Sequence, residues 1–365
     1  TSKATPGIVV DAGAGNDLIK LTSNSSSNSA ISNIDGGAGI DTIKFSPGLD
    51  YSLNDLTVVN VEKLEFSGGS SSTKLQSDVL TGKTLSLSKE NSNDLTLELI
   101  PKTQVIDLSK LDFDSINLDT DVIVLDGNNF SQALTITGSD INDKITGTYT
   151  ANDTIISGDG NDIVDGSDGN DTLTPGNGSD RISSGMGNDT INLSENHAAQ
   201  DTLHYSIDYG SANVDTVTGF DVRVVNDIIS IDVSELSTPI TVGDGSTAKN
   251  TNAGNISIIE NALDANISHA SNTTESIIKL MQTDKNTFAA ALGTGEIAVA
   301  DGACINFLWY NTRDSQAVYG YVSEASSADD DNKITNADTF VEIVKLSISE
   351  ASFTHYLDAD NFAYV

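Results

Sequence analysis

The chain is short of most things that stabilise an ordinary globular protein. A single cysteine, Cys304, excludes an internal disulfide, and in GACINFLWY it reads as a small buried core residue. Tryptophan occurs once, methionine twice, and aromatics make up 5% of 365 residues, so any core must be thin. There is no run of about eighteen apolar residues, hence no candidate transmembrane helix and no expected membrane insertion. Basic residues are scarce: 18 Lys and Arg stand against 53 Asp and Glu, for a formal net charge of −35. That charge excludes nucleic acid and an anionic membrane surface as electrostatic partners. Of the acidic residues 41 are Asp and only 12 are Glu. Surface helices favour Glu, so the bias toward the shorter carboxylate points to turns and metal-binding loops.

What the chain has in abundance is repetition. Between Ser157 and Asn192 four nine-residue units follow without a gap: SGDGNDIVD, GSDGNDTLT, PGNGSDRIS and SGMGNDTIN. Glycine recurs around the second and fourth places, Asp at the sixth and an aliphatic at the eighth. Glycine lets the backbone turn through positive φ and gather carbonyl oxygens round a point, to which Asp adds a hard anionic oxygen. Calcium suits such a cage. Counting a degenerate unit, TYTANDTII, the aspartates Asp153, Asp162, Asp171, Asp180 and Asp189 fall nine apart. With two units to a turn, Asp153, Asp171 and Asp189 stack along one edge and Asp162 and Asp180 along the other. Ile155, Val164, Leu173, Ile182 and Ile191 alternate with polar neighbours and would fill a narrow core. Two further units lie upstream, AGAGNDLIK at 12–20 and GGAGIDTIK at 36–44. Without divalent cations the stacked carboxylates repel, so folding is expected to depend on calcium.

From Phe45 to Ile145 the glycines thin out but short β-branched or alternating segments persist: LTVVNVEKLEF, LSLSK, LTLELI, VIDLSKL, VIVLDG, ALTITG. The expectation is one solenoid continued through irregular turns; an inserted β-sandwich is the alternative. A closing segment follows Asn192, where Tyr205, Tyr209 and Phe220 are large enough to hide an open end. The first domain is placed at 1–235. The second, 236–365, is expected to be α+β: a polar loop over 238–255, helices at ISIIENALDANI and ESIIKLMQTDKNTFAAALG, then strands ACINFLWYN, QAVYGYVSE and TFVEIVKLSI. Asp329, Asp331 and Asp338 either cage one more calcium or form a solvated loop. The end, LDADNFAYV, reads as a final edge strand.

The nonapeptides, the segment VDTVTGFD…NDIISIDVS and the ending DTFVEIVKL…LDADNFAYV resemble the C-terminal part of RTX (repeats-in-toxin) proteins. Within that family the chain is most similar to bacterial surface-layer proteins. The resemblance implies an all-β fold, a calcium-bound parallel β-roll running into an irregular solenoid, holding several Ca2+ ions. It implies metal sites made of Gly13, Gly15 and Asp17; Gly37, Gly39 and Asp41; Asp153; Gly158, Gly160 and Asp162; Gly166, Gly169 and Asp171; Gly176, Gly178 and Asp180; and Gly185, Gly187 and Asp189. The charge of Arg181 beside Asp180 would weaken one edge. Further implications are an uncleaved signal read by type I secretion machinery, an upstream cell-surface anchoring domain and self-association into a lattice outside a bacterial cell. The start, TSKATPG, has no initiator Met or leader, which fits the C-terminal part of a longer exported polypeptide. The alternatives are the C-terminal region of an RTX adhesin, toxin or secreted hydrolase. No catalysis is expected of this segment: His197, His204, His269 and His355 are scattered, and no zinc-helix, nucleophile-elbow or phosphate-loop motif occurs.

Overall fold

A computed structural model describes residues 8–21, 31–46, 50, 56–67, 72–90, 94–114, 116–117, 120–196, 199–206, 214–222, 227–232, 257–260, 276–282, 304–311, 314–323, 339–349 and 362–364. The chain divides into two compact units, Thr1–Arg181 and Ile182–Val365.

The first unit is built of short strands whose neighbours lie one turn away in sequence and pair in parallel. Ile8–Asp11, Ile31–Asp35 and Thr57–Val59 form one ladder. Leu18–Leu21, Thr42–Phe45, Lys63–Phe66, Leu85–Lys89 and Leu111–Asp114 form a second. Thr73–Gln76, Thr96–Ile100, Val122–Asp126, Asp143–Thr146 and Ile163–Asp165 form a third. Val105–Asp107, Thr135–Thr137, Thr154–Asp159 and Thr172–Asn177 form a fourth. Early turns carry two strands, middle turns three and late turns two again. The glycine-poor stretch therefore continues the solenoid; a sandwich would have paired its strands antiparallel.

Turn size follows the sequence. Aspartates bonded across adjacent turns are 24 residues apart at Asp17 and Asp41, 19 at Asp143 and Asp162, and 18 at both Asp153 and Asp171, and Asp162 and Asp180. Eighteen is two nonapeptides.

In each ladder alternate residues face inward and identical places stack. Ile43, Leu64 and Leu87 are in register and buried, as are Leu75, Leu99, Leu125, Ile145 and Val164. Ile106, Ile136, Ile155 and Leu173 form the third such file. Phe45 and Phe66, directly paired, stack with ring centroids 5.3 Å apart and planes 13° from parallel. That pair fills the wider turns, where more width must be packed than an aliphatic file spans.

The second unit begins in the same style. Thr190–Asn192 pairs in parallel with Asp215–Thr218, and that strand with Thr339–Ser347. Thr202–Ser206, Ile228–Asp232 and Phe362–Tyr364 form another parallel ladder, so the C-terminal strand expected from LDADNFAYV is present. Thr339–Ser347 then pairs antiparallel with Gln316–Ser323, and that strand antiparallel with Cys304–Asn311. Tyr205 and Phe220, two of the expected closing residues, are buried; Tyr209 lies outside the described residues.

The two helices expected in the second unit are not found where it is described. Ser257–Glu260 and Ser276–Gln282 are strands, paired antiparallel with each other, and the latter also lies parallel to Cys304–Asn311. Paired isoleucines in SIIE and SIIKLMQ lose χ1 freedom in a helix and fit a pleated surface, and here the neighbouring strand outweighs helical spacing. The remainder of both stretches, the 238–255 loop and Asp329, Asp331 and Asp338 lie outside the described residues.

Leu64 is fully buried between Ile43 and Leu87. Leu64→Ala should cost about 2–5 kcal/mol, read as a lowered midpoint in denaturant titration with calcium present.

Candidate metal centre

Every nonapeptide places its sixth residue at the entrance to a strand, where the chain turns inward. Asp41, Asp153, Asp162, Asp171, Asp180 and Asp189 are all at most 2% exposed. A row of buried carboxylates is costly unless each oxygen finds a partner. One oxygen finds it in the adjacent turn. Asp17 N–H donates to Asp41 Oδ1 at 2.8 Å, Asp143 N–H to Asp162 Oδ1 at 2.8 Å, Asp153 N–H to Asp171 Oδ1 at 2.7 Å and Asp162 N–H to Asp180 Oδ1 at 2.8 Å. The two expected stacks are thus present within the first unit, with Asp153 over Asp171 and Asp162 over Asp180.

The Asn at the fifth place builds a second file beside it. Ile40 N–H donates to Asn16 Oδ1 at 3.0 Å, Asn161 N–H to Asn142 Oδ1 at 2.7 Å, Asn170 N–H to Asn152 Oδ1 at 2.9 Å and Ser179 N–H to Asn161 Oδ1 at 2.9 Å. The dipeptide Asn-Asp therefore binds one neighbour through each residue. This use of Asn is absent from the sequence reading, although its recurrence before Asp is visible there.

In three units the other carboxylate oxygen is left over. Asp17 Oδ2, Asp41 Oδ2 and Asp162 Oδ2 are buried and accept no hydrogen bond. Burial, with the charges of Asp143 and Asp180 adding to it, pushes the Asp162 carboxyl up to about 8. Near neutral pH that group requires a proton or a cation. Among the described residues no three His, Cys, Asp or Glu side chains converge, so a cation between turns would take most of its oxygens from the backbone, as calcium readily does.

The backbone is shaped accordingly. Gly13, Gly15, Gly37, Gly39, Gly158, Gly160, Gly169, Gly176, Gly178, Gly185 and Gly187 all have positive φ. A Cβ at Gly37, Gly39, Gly176 or Gly178 would collide with the carbonyl oxygen of Gly13, Gly15, Gly158 or Gly160 respectively. Carbonyls of one turn are thus packed against bare backbone of the next. The orphaned buried oxygens and the carbonyl cradle fit Ca2+, which would be held there and would supply the positive charge between turns.

One expected residue departs from this pattern. Gly166 is not left-handed; Ser167 takes that conformation at φ 69°. In GSDGNDTLT glycine stands one place early, and Asp165 Oδ1 receives Ser167 N–H at 3.0 Å, an Asx turn that holds a non-glycine residue in place. Arg181 is exposed, and its backbone N–H donates to Asp162 O at 2.8 Å.

In the second unit aspartates beyond the last nonapeptide are bonded in the same way. Asp189 N–H donates to Asp215 Oδ1 at 2.9 Å and Asp201 N–H to Asp227 Oδ1 at 3.0 Å, each across 26 residues. Ser184 Oγ donates to Asp215 Oδ2 at 2.6 Å, and Asp221 N–H to Asp227 Oδ2 at 2.6 Å. Burial, and after it the Asp215 charge, raises the Tyr205 phenol above its usual range. Asp201, Asp215 and Asp227 were not singled out from sequence, nor were Asp121 and Asp143 of the first unit. Their common signal is an Asp two residues before a buried aliphatic. Of the histidines, His204 is described; its Nδ1 lies 3.4 Å from Ser230 Oγ.

Gly15 and Gly178 have nearly the same φ, 130° and 132°, but a Cβ meets nothing within 4 Å at Gly15 and the Gly160 carbonyl at Gly178. Gly178→Ala is therefore expected to raise the calcium midpoint for folding well above that of Gly15→Ala. Circular dichroism through a calcium titration would show it; equal midpoints would mean that φ strain alone matters.

Residues 137–173, 148–182 and 167–195 match the family described as RTX calcium-binding nonapeptide repeat (4 copies). No curated protein matches the chain. The span 137–195 thus carries calcium-binding repeats of the RTX type, in several copies.

Proposed function

We propose that this chain is a structural calcium-binding protein of the bacterial cell surface, a surface-layer protomer in which calcium makes the solenoid rigid and bridges neighbouring copies in a two-dimensional lattice. The observation that carries this reading is the pair of buried carboxylates Asp41 and Asp162, each accepting an amide of the preceding turn on one oxygen and no hydrogen bond on the other, in turns whose glycines pack against the carbonyls of their neighbours. Such a file folds only where calcium is plentiful, which suits a chain exported before it folds. The net charge of −35 supports calcium as the agent of contact as well, because like-charged copies associate only when a divalent cation lies between them. In this reading the glycines and aspartates at 12–20 and 36–44 bind calcium as those of 157–192 do. The partners are further copies of the chain, a surface-anchoring region and the type I export machinery.

The purified protein should form sheets in calcium, visible by negative-stain microscopy, that dissolve in chelator. Sheets that persist in chelator would defeat the proposal. Calcium-dependent folding without sheets would instead make the chain the secretion and folding region of an RTX adhesin, toxin or hydrolase. Within the array, Asp171→Ala removes a carboxylate with a turn on either side, whereas Asp17 lies at the first described turn. Asp171→Ala is expected to raise the calcium midpoint for folding more than Asp17→Ala does, again by circular dichroism; equal midpoints would contradict stacked sites.

A further inference from the structure

The aspartate file runs on through turns that have no positive-φ glycines, and there the second carboxylate oxygen is not left over. Asp121, fully buried, accepts Leu95 N–H at 2.6 Å on Oδ1 and Asn117 N–H at 2.6 Å on Oδ2. Lys89 Nζ lies 2.8 Å from Oδ1 and 2.7 Å from Oδ2, with its side chain only 6% exposed. An ammonium is thus enclosed at the carboxylate, between turns, where the nonapeptides leave an oxygen for a metal. Asp143 Oδ2 receives Ser139 N–H at 2.7 Å and Ser139 Oγ at 3.0 Å. Asp153 Oδ1 receives Leu134 N–H at 2.6 Å, and its Oδ2 receives Thr148 N–H at 2.6 Å and Thr148 Oγ1 at 2.9 Å.

Composition follows the same division. Seven lysines fall between Lys44 and Lys110, whereas from 153 to 192 the one basic residue is Arg181. The glycine-poor stretch carries its cations in the chain.

We infer that the turns closed by Asp121, Asp143 and Asp153 fold without calcium, because the Lys89 ammonium and the Ser139 and Thr148 donors already occupy carboxylate oxygens of the kind that Asp41 and Asp162 leave without a hydrogen bond. Breaking a buried ion pair from one side leaves an uncompensated charge, so Lys89 is required for this segment. Asp153, which the repeat pattern assigned to metal, is instead a positioning residue whose two oxygens are both taken by protein donors. The middle of the solenoid is then a preformed template on which the calcium turns build. This rests on calcium binding by the nonapeptides and not on the lattice.

Hydrogen–deuterium exchange on the whole chain, in calcium and in chelator, tests it. Amides of 85–100 and 120–126 should keep their protection in both, while those of 154–180 lose about a hundredfold or more in chelator. Loss of 85–126 in step with 154–180 would overturn the inference. If neither span responds to chelator, the calcium reading itself fails. Lys89→Met should strip protection from 85–126 at both calcium levels, and Lys89→Arg should restore part of it. Unchanged protection in Lys89→Met would remove Lys89 from the role; if that variant does not fold, the wild-type comparison decides.

Discussion

The solenoid brings carboxylates indoors in several of its turns, two to a turn in the nonapeptides, and much of the structure is arranged around that burden. Each buried aspartate has two oxygens to satisfy away from solvent. The first is answered by geometry alone, since a parallel ladder brings the amide of one turn beneath the carboxylate of the next. The second must be answered by something positive or by a donor, and what answers it differs from turn to turn. Asp162 leaves it without a hydrogen-bond donor, Asp121 offers it to Lys89, Asp143 to Ser139 and Asp153 to Thr148.

Turn length and core follow from the same arrangement. Where glycines close the corners, eighteen residues complete a turn and the core is one aliphatic per strand. Where the repeat is longer, as between Asp17 and Asp41 across 24, the turn is wider and needs more filling. Phe45 over Phe66 provides it. On the outer surface Lys44 pairs with Glu65 and Glu90, and Lys74 with Glu98. These partly exposed pairs add little on their own, but Lys44 with Glu65 and Lys74 with Glu98 set opposite charges directly across a strand ladder.

Much of this is legible in the chain. The phase of Asp at the sixth place and an aliphatic at the eighth points to both the two carboxylate files and the core files, because strand alternation ties one to the other. The continuation through glycine-poor turns is legible as well, since LSLSK and LTLELI keep the rhythm. Partner choice is what the pattern hides. Nothing in TYTANDTII says that Thr148 will answer Asp153, and nothing in LSLSKE says that Lys89 will reach Asp121 across 32 residues. Such contacts depend on turn length, which local sequence does not state. The helices expected at SIIE and SIIKLMQ fail for a related reason. Their spacing suits a helix, but β-branched isoleucines and a waiting strand edge decide otherwise.

Among the described residues, the amide-to-carboxylate bonds between aspartates of adjacent turns all point one way along the chain. Asp143 donates to Asp162 and Asp162 to Asp180, never the reverse. A stack built so has a giving end and a receiving end, like a column of one-sided fasteners. A turn offered upside down would set amide against amide, so any further layer, whatever chain supplies it, can join in only one orientation.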